Sequence, residues 1–119
     1  MSGNRSILIV EDEPLIAMML EDFLESLGHN VVGTCETVEE ALEKVDEGGF
    51  DVAIIDVQLK DGKQVWPVAD RLASTGTPFV VATGGHVEPP PPEHAGAPIL
   101  SKPFTLDAIE PALERACAG

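Results

Sequence analysis

The sequence has few basic residues, few cysteines and no long apolar run. Lysine and arginine number 7 against 21 aspartates and glutamates, so the chain has a formal net charge of −14. Nucleic acids and anionic membrane surfaces are bound through basic patches, so this charge argues against both as partners. No run approaches the roughly 20 apolar residues of a membrane span, and no signal-like apolar region follows the first residues. The composition therefore predicts a cytoplasmic protein.

The cysteine count and the length bound the architecture. The two cysteines, Cys35 and Cys117, are too few for a disulfide framework, so both are predicted to be reduced thiols. Hydrophobic residues make up 44% of the 119 positions, which is enough to build a single core in a chain of this length. We therefore expect one domain over residues 1–119.

Apolar periodicity predicts alternating strands and helices. Ser6–Val10 is a continuous apolar run, typical of a strand that is covered on both faces. An amphipathic stripe from Ile16 to Leu27 follows it and indicates a helix. The alternation recurs and predicts further strands at residues 30–35, 51–55, 78–82 and 98–100. This order favours the α/β class, a doubly wound, five-stranded parallel sheet with helices on both faces.

Residues 84–96 break this alternation. The segment stands where another helix belongs, and it contains four consecutive prolines at positions 89–92. Consecutive prolines cannot form the interior of a helix and favour polyproline II. We therefore predict that a proline-rich loop with at most one helical turn replaces or shortens the fourth helix. The two histidines of the segment, His86 and His94, are expected to be exposed.

Polar residues follow four of the apolar runs, at the point where each predicted strand ends. Glu11 and Asp12 follow the first strand, and Asp56 follows the third. Thr83 follows the fourth strand, and Lys102 comes shortly after the last. Because parallel sheets carry their sites at the carboxyl ends of the strands, these side chains are expected to converge.

The predicted cluster has a consistent chemistry. Three carboxylates repel one another and suit a hard divalent cation such as Mg²⁺. A lysine and a hydroxyl beside them suit an incoming phosphoryl group. Taken singly, each residue has an ordinary explanation. Glu11 and Asp12, for example, could be acids that simply favour the N-terminus of the following helix. Their joint placement at four strand ends favours a functional site.

Four blocks of the sequence resemble the motifs of bacterial response-regulator receiver domains. They stand in that family's order and spacing and cover nearly the whole chain: Ile7-Leu-Ile-Val-Glu-Asp-Glu-Pro14, Asp51-Val-Ala-Ile-Ile-Asp56-Val-Gln-Leu59, Ala82-Thr83-Gly84 and Leu100-Ser-Lys102-Pro-Phe104. Residues 78–84 further resemble a stretch of the FAT GUY group of single-domain regulators. The resemblance implies a flavodoxin-like sheet with strand order 2-1-3-4-5.

The resemblance also implies a role for each residue of the predicted cluster. Asp56 would be the phosphoacceptor, whose carboxylate attacks the phosphorus of a phosphohistidine. Asp12, Asp56 and the backbone carbonyl of Gln58 would bind Mg²⁺ directly, and Glu11 would bind it through a water molecule. Two further side chains would contact the phosphoryl oxygens, those of Thr83 and Lys102.

The function implied by the resemblance is that of a response regulator in a two-component system. We expect a stand-alone receiver, because no linker or second domain follows the last predicted helix. It would accept phosphate from a sensor histidine kinase or a histidine phosphotransfer protein, then act on an unidentified downstream protein or serve as a phosphate sink. It would not be an enzyme beyond catalysing its own phosphorylation and dephosphorylation. Ile99 stands where the family often has an aromatic switch residue, so we expect Thr83 and residues 84–96 to carry any conformational change.

Other interpretations stay open at this stage. The chain could be a receiver fragment of a larger regulator, or a pseudo-receiver that works without phosphorylation. A phosphatase of the haloacid-dehalogenase type also forms an aspartyl phosphate, but it needs an acid where Gln58 stands, two residues after Asp56. A flavodoxin-like cofactor binder needs a phosphate-binding loop after the first strand, where three successive acids would repel phosphate.

Overall fold

The computed structural model describes residues 4–57, 59, 64–83, 91–94, 96–101 and 104–118. Strands and helices alternate along these residues. Their order is β1 (Ser6–Val10), α1 (Pro14–Ser26), β2 (Asn30–Cys35), α2 (Val38–Glu47), β3 (Val52–Asp56), α3 (Trp66–Ser74), β4 (Phe79–Thr83), β5 (Ile99–Ser101) and α4 (Leu106–Ala118). A 3₁₀ turn, Pro92–His94, lies between β4 and β5.

The five strands form one parallel sheet in the order β2-β1-β3-β4-β5. The predicted fold class and strand order are therefore confirmed. β4 and β5 each begin one residue later than predicted, because Pro78 and Pro98 have no N–H to pair. Their carbonyls still accept hydrogen bonds, from the N–H of Ala53 and that of Val81 respectively.

Two apolar layers enclose the sheet, one on each face. Leu8 and Val10 of β1 pack with α2 and α3, whereas Ile7 and Ile9 pack with α1 and α4. The same alternation holds in β3, all of whose residues are buried. Because side chains of a strand point alternately to opposite faces, a strand covered on both sides must be apolar throughout. This requirement explains the continuous apolar runs of the sequence.

Local sequence signals set the helix ends. Pro14 lies in the first turn of α1, and Gly28 follows the helix with a φ of 90°. Thr37 caps α2, since its hydroxyl accepts the N–H of Glu40 at 3.1 Å. The Glu40 carboxylate in turn accepts the N–H of Glu36 at 3.0 Å, so two N–H groups outside the helical ladder are satisfied. Among the described residues, no helix has the length and apolar character needed to cross a membrane.

A regular alternation would place a further helix in the connection between β4 and β5. Its described part contains one 3₁₀ turn, Pro92–His94, as the proline run led us to predict. Residues 84–90 and 95 lie outside the described residues, and so does the prediction for His86. The expectation of an exposed His94 is wrong, because only 6% of this residue is accessible.

His94 is buried because the turn folds back onto α3 and β4. Its Nε2 lies 2.7 Å from the Asp70 carboxylate, and because a carboxylate only accepts, Nε2 is the donor. The imidazole stacks on Trp66 with ring centroids 5.9 Å apart and an interplanar angle of 14°. Phe79 meets the same ring edge-on at 5.5 Å. The turn is therefore held by aromatic packing and by one charge-assisted hydrogen bond.

A second polar contact holds the opposite end of the sheet. His29 Nδ1 accepts the backbone N–H of Arg5 at 3.1 Å, so the ring proton must sit on Nε2. That nitrogen donates to Glu110 Oε1 at 2.7 Å, and the Arg5 guanidinium lies 3.7 Å from Glu110 Oε2. The network joins the start of β1 and the approach to β2 with the last helix.

Candidate functional site

Three acidic side chains meet at the carboxyl ends of β1 and β3. Glu11 and Asp12 directly follow β1, and Asp56 is the last residue of β3. One carboxylate oxygen of each lies within 4.8 Å of the other two. All three residues are buried, with accessible fractions of 2% for Glu11 and 8% for each aspartate. The predicted convergence of these acids is therefore present in the structure.

The backbone ladders explain why these acids meet. β1 and β3 are neighbours in register, with Val10 opposite Ile55, so the next residue of each chain segment, Glu11 and Asp56, emerges side by side with the other. The ladder between β1 and β2 continues one residue further, because the Glu11 N–H donates to the Cys35 carbonyl at 2.9 Å. The carboxylate of Glu11 is also fixed, since it accepts the N–H of Glu13 at 3.1 Å.

The start of α1 contributes to the electrostatics of the cluster. The helix begins at Pro14, two residues after Asp12, so its N-terminus adjoins the acids. A helix N-terminus carries partial positive charge and stabilises nearby carboxylates. That partial charge is small compared with three carboxylates held within 4.8 Å of one another in buried positions. The cluster is thus a concentrated negative site at the carboxyl edge of the sheet.

The donor set determines which metal the cluster suits. It offers carboxylate oxygens without the thiolate or imidazole ligands that zinc and copper favour. Oxygen ligands on rigid backbone suit a hard divalent cation, and a site with few protein ligands leaves coordination positions for water or phosphate, as Mg²⁺ prefers. The acidic cluster therefore fits Mg²⁺.

The remaining predicted site residues lie partly within the described structure. Thr83 is the last residue of β4, and the register pairs Asp56 with Ala82, so Thr83 lies one step further along the same edge. Gln58 and Lys102 are outside the described residues, and their roles stay predictions. Ser101, which precedes Lys102 in the sequence, ends β5 beside Thr83.

The comparison with known families agrees with this geometry. The response regulator receiver domain family matches the chain over residues 7–114. This match covers all five strands except Ser6, the first residue of β1, and the chain belongs to that family. Receiver domains are the phosphorylatable modules of two-component systems, so the acidic cluster lies in a fold whose members signal by phosphorylation.

Individual relatives support the same assignment. The chain is 52% identical to SdrG of Sphingomonas melonis Fr1, whose solution structure superposes with a TM-score of 0.86 and 98% coverage of both chains. It is also similar to the phyllosphere-induced regulator PhyR of Methylorubrum extorquens, at 41% identity over 108 residues. A third relative, the transcriptional regulatory protein PdtaR of Mycobacterium tuberculosis, is 32% identical over 117 residues. The alignments take in 82% of this chain for PhyR and 94% for PdtaR, but only 38% and 56% of those two relatives.

Proposed function

We propose that the chain is a response regulator whose activity is controlled by phosphorylation of Asp56. The observation that carries the proposal is the position of this carboxylate, at the end of the central strand and within 4.8 Å of Glu11 and Asp12. A further support is the similarity to SdrG. Its structure has been solved in a BeF₃-activated conformation, and the SdrG chain in that structure is 51% identical to this chain. Beryllofluoride resembles a phosphoryl group, so that activation fits an acceptor aspartate.

The proposed chemistry is a transfer between two side chains. A carboxylate oxygen of Asp56 attacks the phosphorus of a phosphohistidine, and the new O–P bond forms as the P–N bond breaks. The electron pair of that bond returns to the imidazole, which leaves as the unphosphorylated histidine. The chain would catalyse no reaction beyond this transfer and the later hydrolysis of its own aspartyl phosphate.

The neighbouring residues would divide the remaining tasks. Asp12, Asp56 and the backbone carbonyl of Gln58 would hold Mg²⁺, with Glu11 acting through a water molecule. When bound, the ion supplies positive charge that lets an anionic phosphoryl group approach the acids. Two residues would contact the phosphoryl oxygens, namely Thr83 and Lys102.

The partners follow from the phosphohistidine donor. We propose that residues 1–119 form one cytoplasmic receiver domain that accepts phosphate from a sensor histidine kinase or a histidine phosphotransfer protein. Its output would be contact with a downstream protein, or removal of phosphate from a shared relay. The net charge of −14 disfavours nucleic acid or an anionic membrane as the target.

A mass measurement tests the proposal. The wild-type chain, incubated with phosphoramidate and Mg²⁺, should gain the mass of one phosphoryl group, whereas Asp56→Asn should gain none. Asp51→Asn is a matched control, because Asp51 lies just before β3 at the opposite edge of the sheet and should leave phosphorylation intact. Phosphate on the Asp56→Asn protein, or equal labelling in EDTA, would refute the assignment.

A further inference from the structure

The backbone directly after Asp56 is tied to two neighbouring elements. Val57, the next residue, donates its N–H to the Ala82 carbonyl of β4 at 3.1 Å, and its own carbonyl accepts the N–H of Val65 at 3.0 Å. Val65 directly precedes α3 and is fully buried. These two hydrogen bonds join the end of β3 to β4 on one side and to the start of α3 on the other.

The side chains of this connection are anchored as well. Val57 and Leu59 are only 5% and 2% accessible, and they belong to the same apolar layer as Val65. Gln58, whose carbonyl is the proposed third metal ligand, stands between them in the sequence. A backbone ligand has no rotamers of its own, so the residues that flank it set its position. The anchoring of Val57 and Leu59 should therefore decide how well this carbonyl is presented to a cation.

The start of α3 is in turn held by His94. Trp66, the first residue of the helix, stacks on the His94 imidazole, with ring centroids 5.9 Å apart. Phe79 of β4 meets the same imidazole edge-on at 5.5 Å, so this ring lies between α3 and β4. Trp66 and Phe79 both pack against the apolar layer that contains Val57 and Leu59. The imidazole therefore holds Trp66 against the layer in which the connection after β3 is anchored.

The turn that carries His94 is tied into the connection between β4 and β5. The His94 N–H donates to the Pro91 carbonyl at 2.8 Å, and the His94 carbonyl accepts the N–H of Ala97 at 3.1 Å. Next to Ala97, the Pro98 carbonyl accepts the N–H of Val81 at 2.9 Å. A continuous series of contacts thus joins the connection after β3 to the connection after β4, and it runs through the stacked rings.

We propose that His94 is a positioning residue for the metal and phosphoryl site, acting through Trp66 and the start of α3. The inference rests on the function proposed for Asp56. With His94 docked, the connection after Asp56 has little freedom left to lose when Mg²⁺ binds, whereas without it the same ordering costs free energy and weakens binding. Because coupling between two sites is reciprocal, Mg²⁺ must strengthen the docking of His94 by the same factor. The state of the acidic cluster is thereby transmitted to the connection between β4 and β5.

A Mg²⁺ titration of the full, unphosphorylated chain tests the proposal. Binding is followed through the amide signals of Asp12 and Glu13, which are present in every variant. His94→Ala should raise the Kd for Mg²⁺ about three- to tenfold, the range that corresponds to the loss of one aromatic pair. His94→Phe keeps a ring against Trp66 and should restore most of the affinity.

A matched control separates positioning from general destabilisation. Val45→Ala removes two methyl groups from the same apolar layer, but Val45 lies on α2 and takes no part in the stacking. This variant should unfold more easily and still bind Mg²⁺ with the wild-type Kd. Circular dichroism establishes that each variant is folded. Trp66→Leu removes the other ring of the stack and should raise the Kd as His94→Ala does, so the test stands if one of the two fails to fold.

The reciprocal effect is measured on the imidazole signals at constant pH. Mg²⁺ should shift the ring signals of His94 in the wild type, and Trp66→Leu should greatly reduce that shift. His29 is the internal control, because it lies at the opposite end of the sheet and contacts Arg5 and Glu110. Its ring signals should not respond to Mg²⁺.

Each outcome decides for or against the proposal. A raised Kd in His94→Ala, its recovery in His94→Phe and a Mg²⁺-dependent His94 signal would support it. Equal Kd values for wild type and folded His94→Ala overturn it, as does an equal rise in Val45→Ala. In those cases wild-type Mg²⁺ binding and phosphorylation of Asp56 are untouched, so the proposed function survives. A wild type whose Asp12 amide ignores Mg²⁺ contradicts the metal site itself, and this inference falls with it.

Discussion

Replacing Asp12 with asparagine should stabilise the metal-free chain. Asp12 is buried, and its carboxylate lies within 4.8 Å of those of Glu11 and Asp56. At an effective dielectric constant of about 20 to 80, two unit charges that far apart repel by roughly 1 to 3.5 kcal/mol. Asparagine keeps the shape and removes the charge. After relaxation and loss of the helix N-terminal attraction, we expect a net gain of about 1–2 kcal/mol in the free energy of unfolding.

Mg²⁺ should stabilise the wild-type chain but not the Asp12→Asn variant. Any ligand that binds only the folded state stabilises it, by about 1.4 kcal/mol when its concentration is ten times its Kd. The wild type should show this gain. Asp12→Asn should not, because the substitution removes both a metal ligand and the charge repulsion that the ion would relieve. The difference in melting temperature between the metal-free proteins should be about 4–8 °C for a chain of this length.

Urea unfolding, followed through the fluorescence of Trp66, measures both effects because Trp66 is the only tryptophan. The titrations are run in EDTA and in saturating MgCl₂. Asp22→Asn is the control, since this exposed residue of α1 is also acidic but lies outside the cluster. A metal-free Asp12→Asn protein less stable than wild type would refute the repulsion argument. An unchanged response to Mg²⁺ would place the ion elsewhere.

Two further predictions concern buried side chains outside the acidic cluster. Burial raises the pKa of the Cys35 thiol from 9.0 to about 11, with the nearby Glu40 carboxylate adding to the effect. The folded state therefore holds more protons than the unfolded state between pH 9 and 11, and stability falls across that interval by up to about 3 kcal/mol. Urea unfolding of Cys35→Ala at pH 8 to 11 should lack this component; parallel curves for both proteins would contradict it. His94→Ala should cost about 1–3 kcal/mol and alter Trp66 emission, whereas Asp70→Ala should cost a few tenths because Asp70 is exposed. Equal losses in the two variants would show that the hydrogen bond to Asp70 outweighs the aromatic packing.

The strands and the acidic residues at their ends could be predicted from the sequence because both are encoded locally. A strand covered on both faces has to be apolar along its length, as Ser6–Val10 is, and its last residue marks the edge of the sheet. The sequence alone therefore places Glu11, Asp12 and Asp56 at the same edge of the sheet. The strand order 2-1-3-4-5 came from the family resemblance, since periodicity alone does not specify which strands are neighbours.

The surroundings of His94 could not be predicted in this way. Four prolines before it indicate an extended loop, and nothing in the local pattern shows that the following turn packs between Trp66 and Phe79. Those two residues lie 28 and 15 positions away in the chain, so the contact is a tertiary one.

The contact between His29 and Glu110 has a consequence for how the chain folds during its synthesis. It joins residues 81 positions apart, and the same helix supplies Ile109 and Leu113 to the apolar layer that β1 and α1 share. During synthesis, β1, β2 and β3 leave the ribosome well before α4 does, so the face of their sheet that α1 and α4 share is only partly covered in the meantime. Ribosome-bound chains arrested before residue 106 should therefore be protease-sensitive and retained by chaperones. Release into a resistant form should coincide with emergence of the last helix.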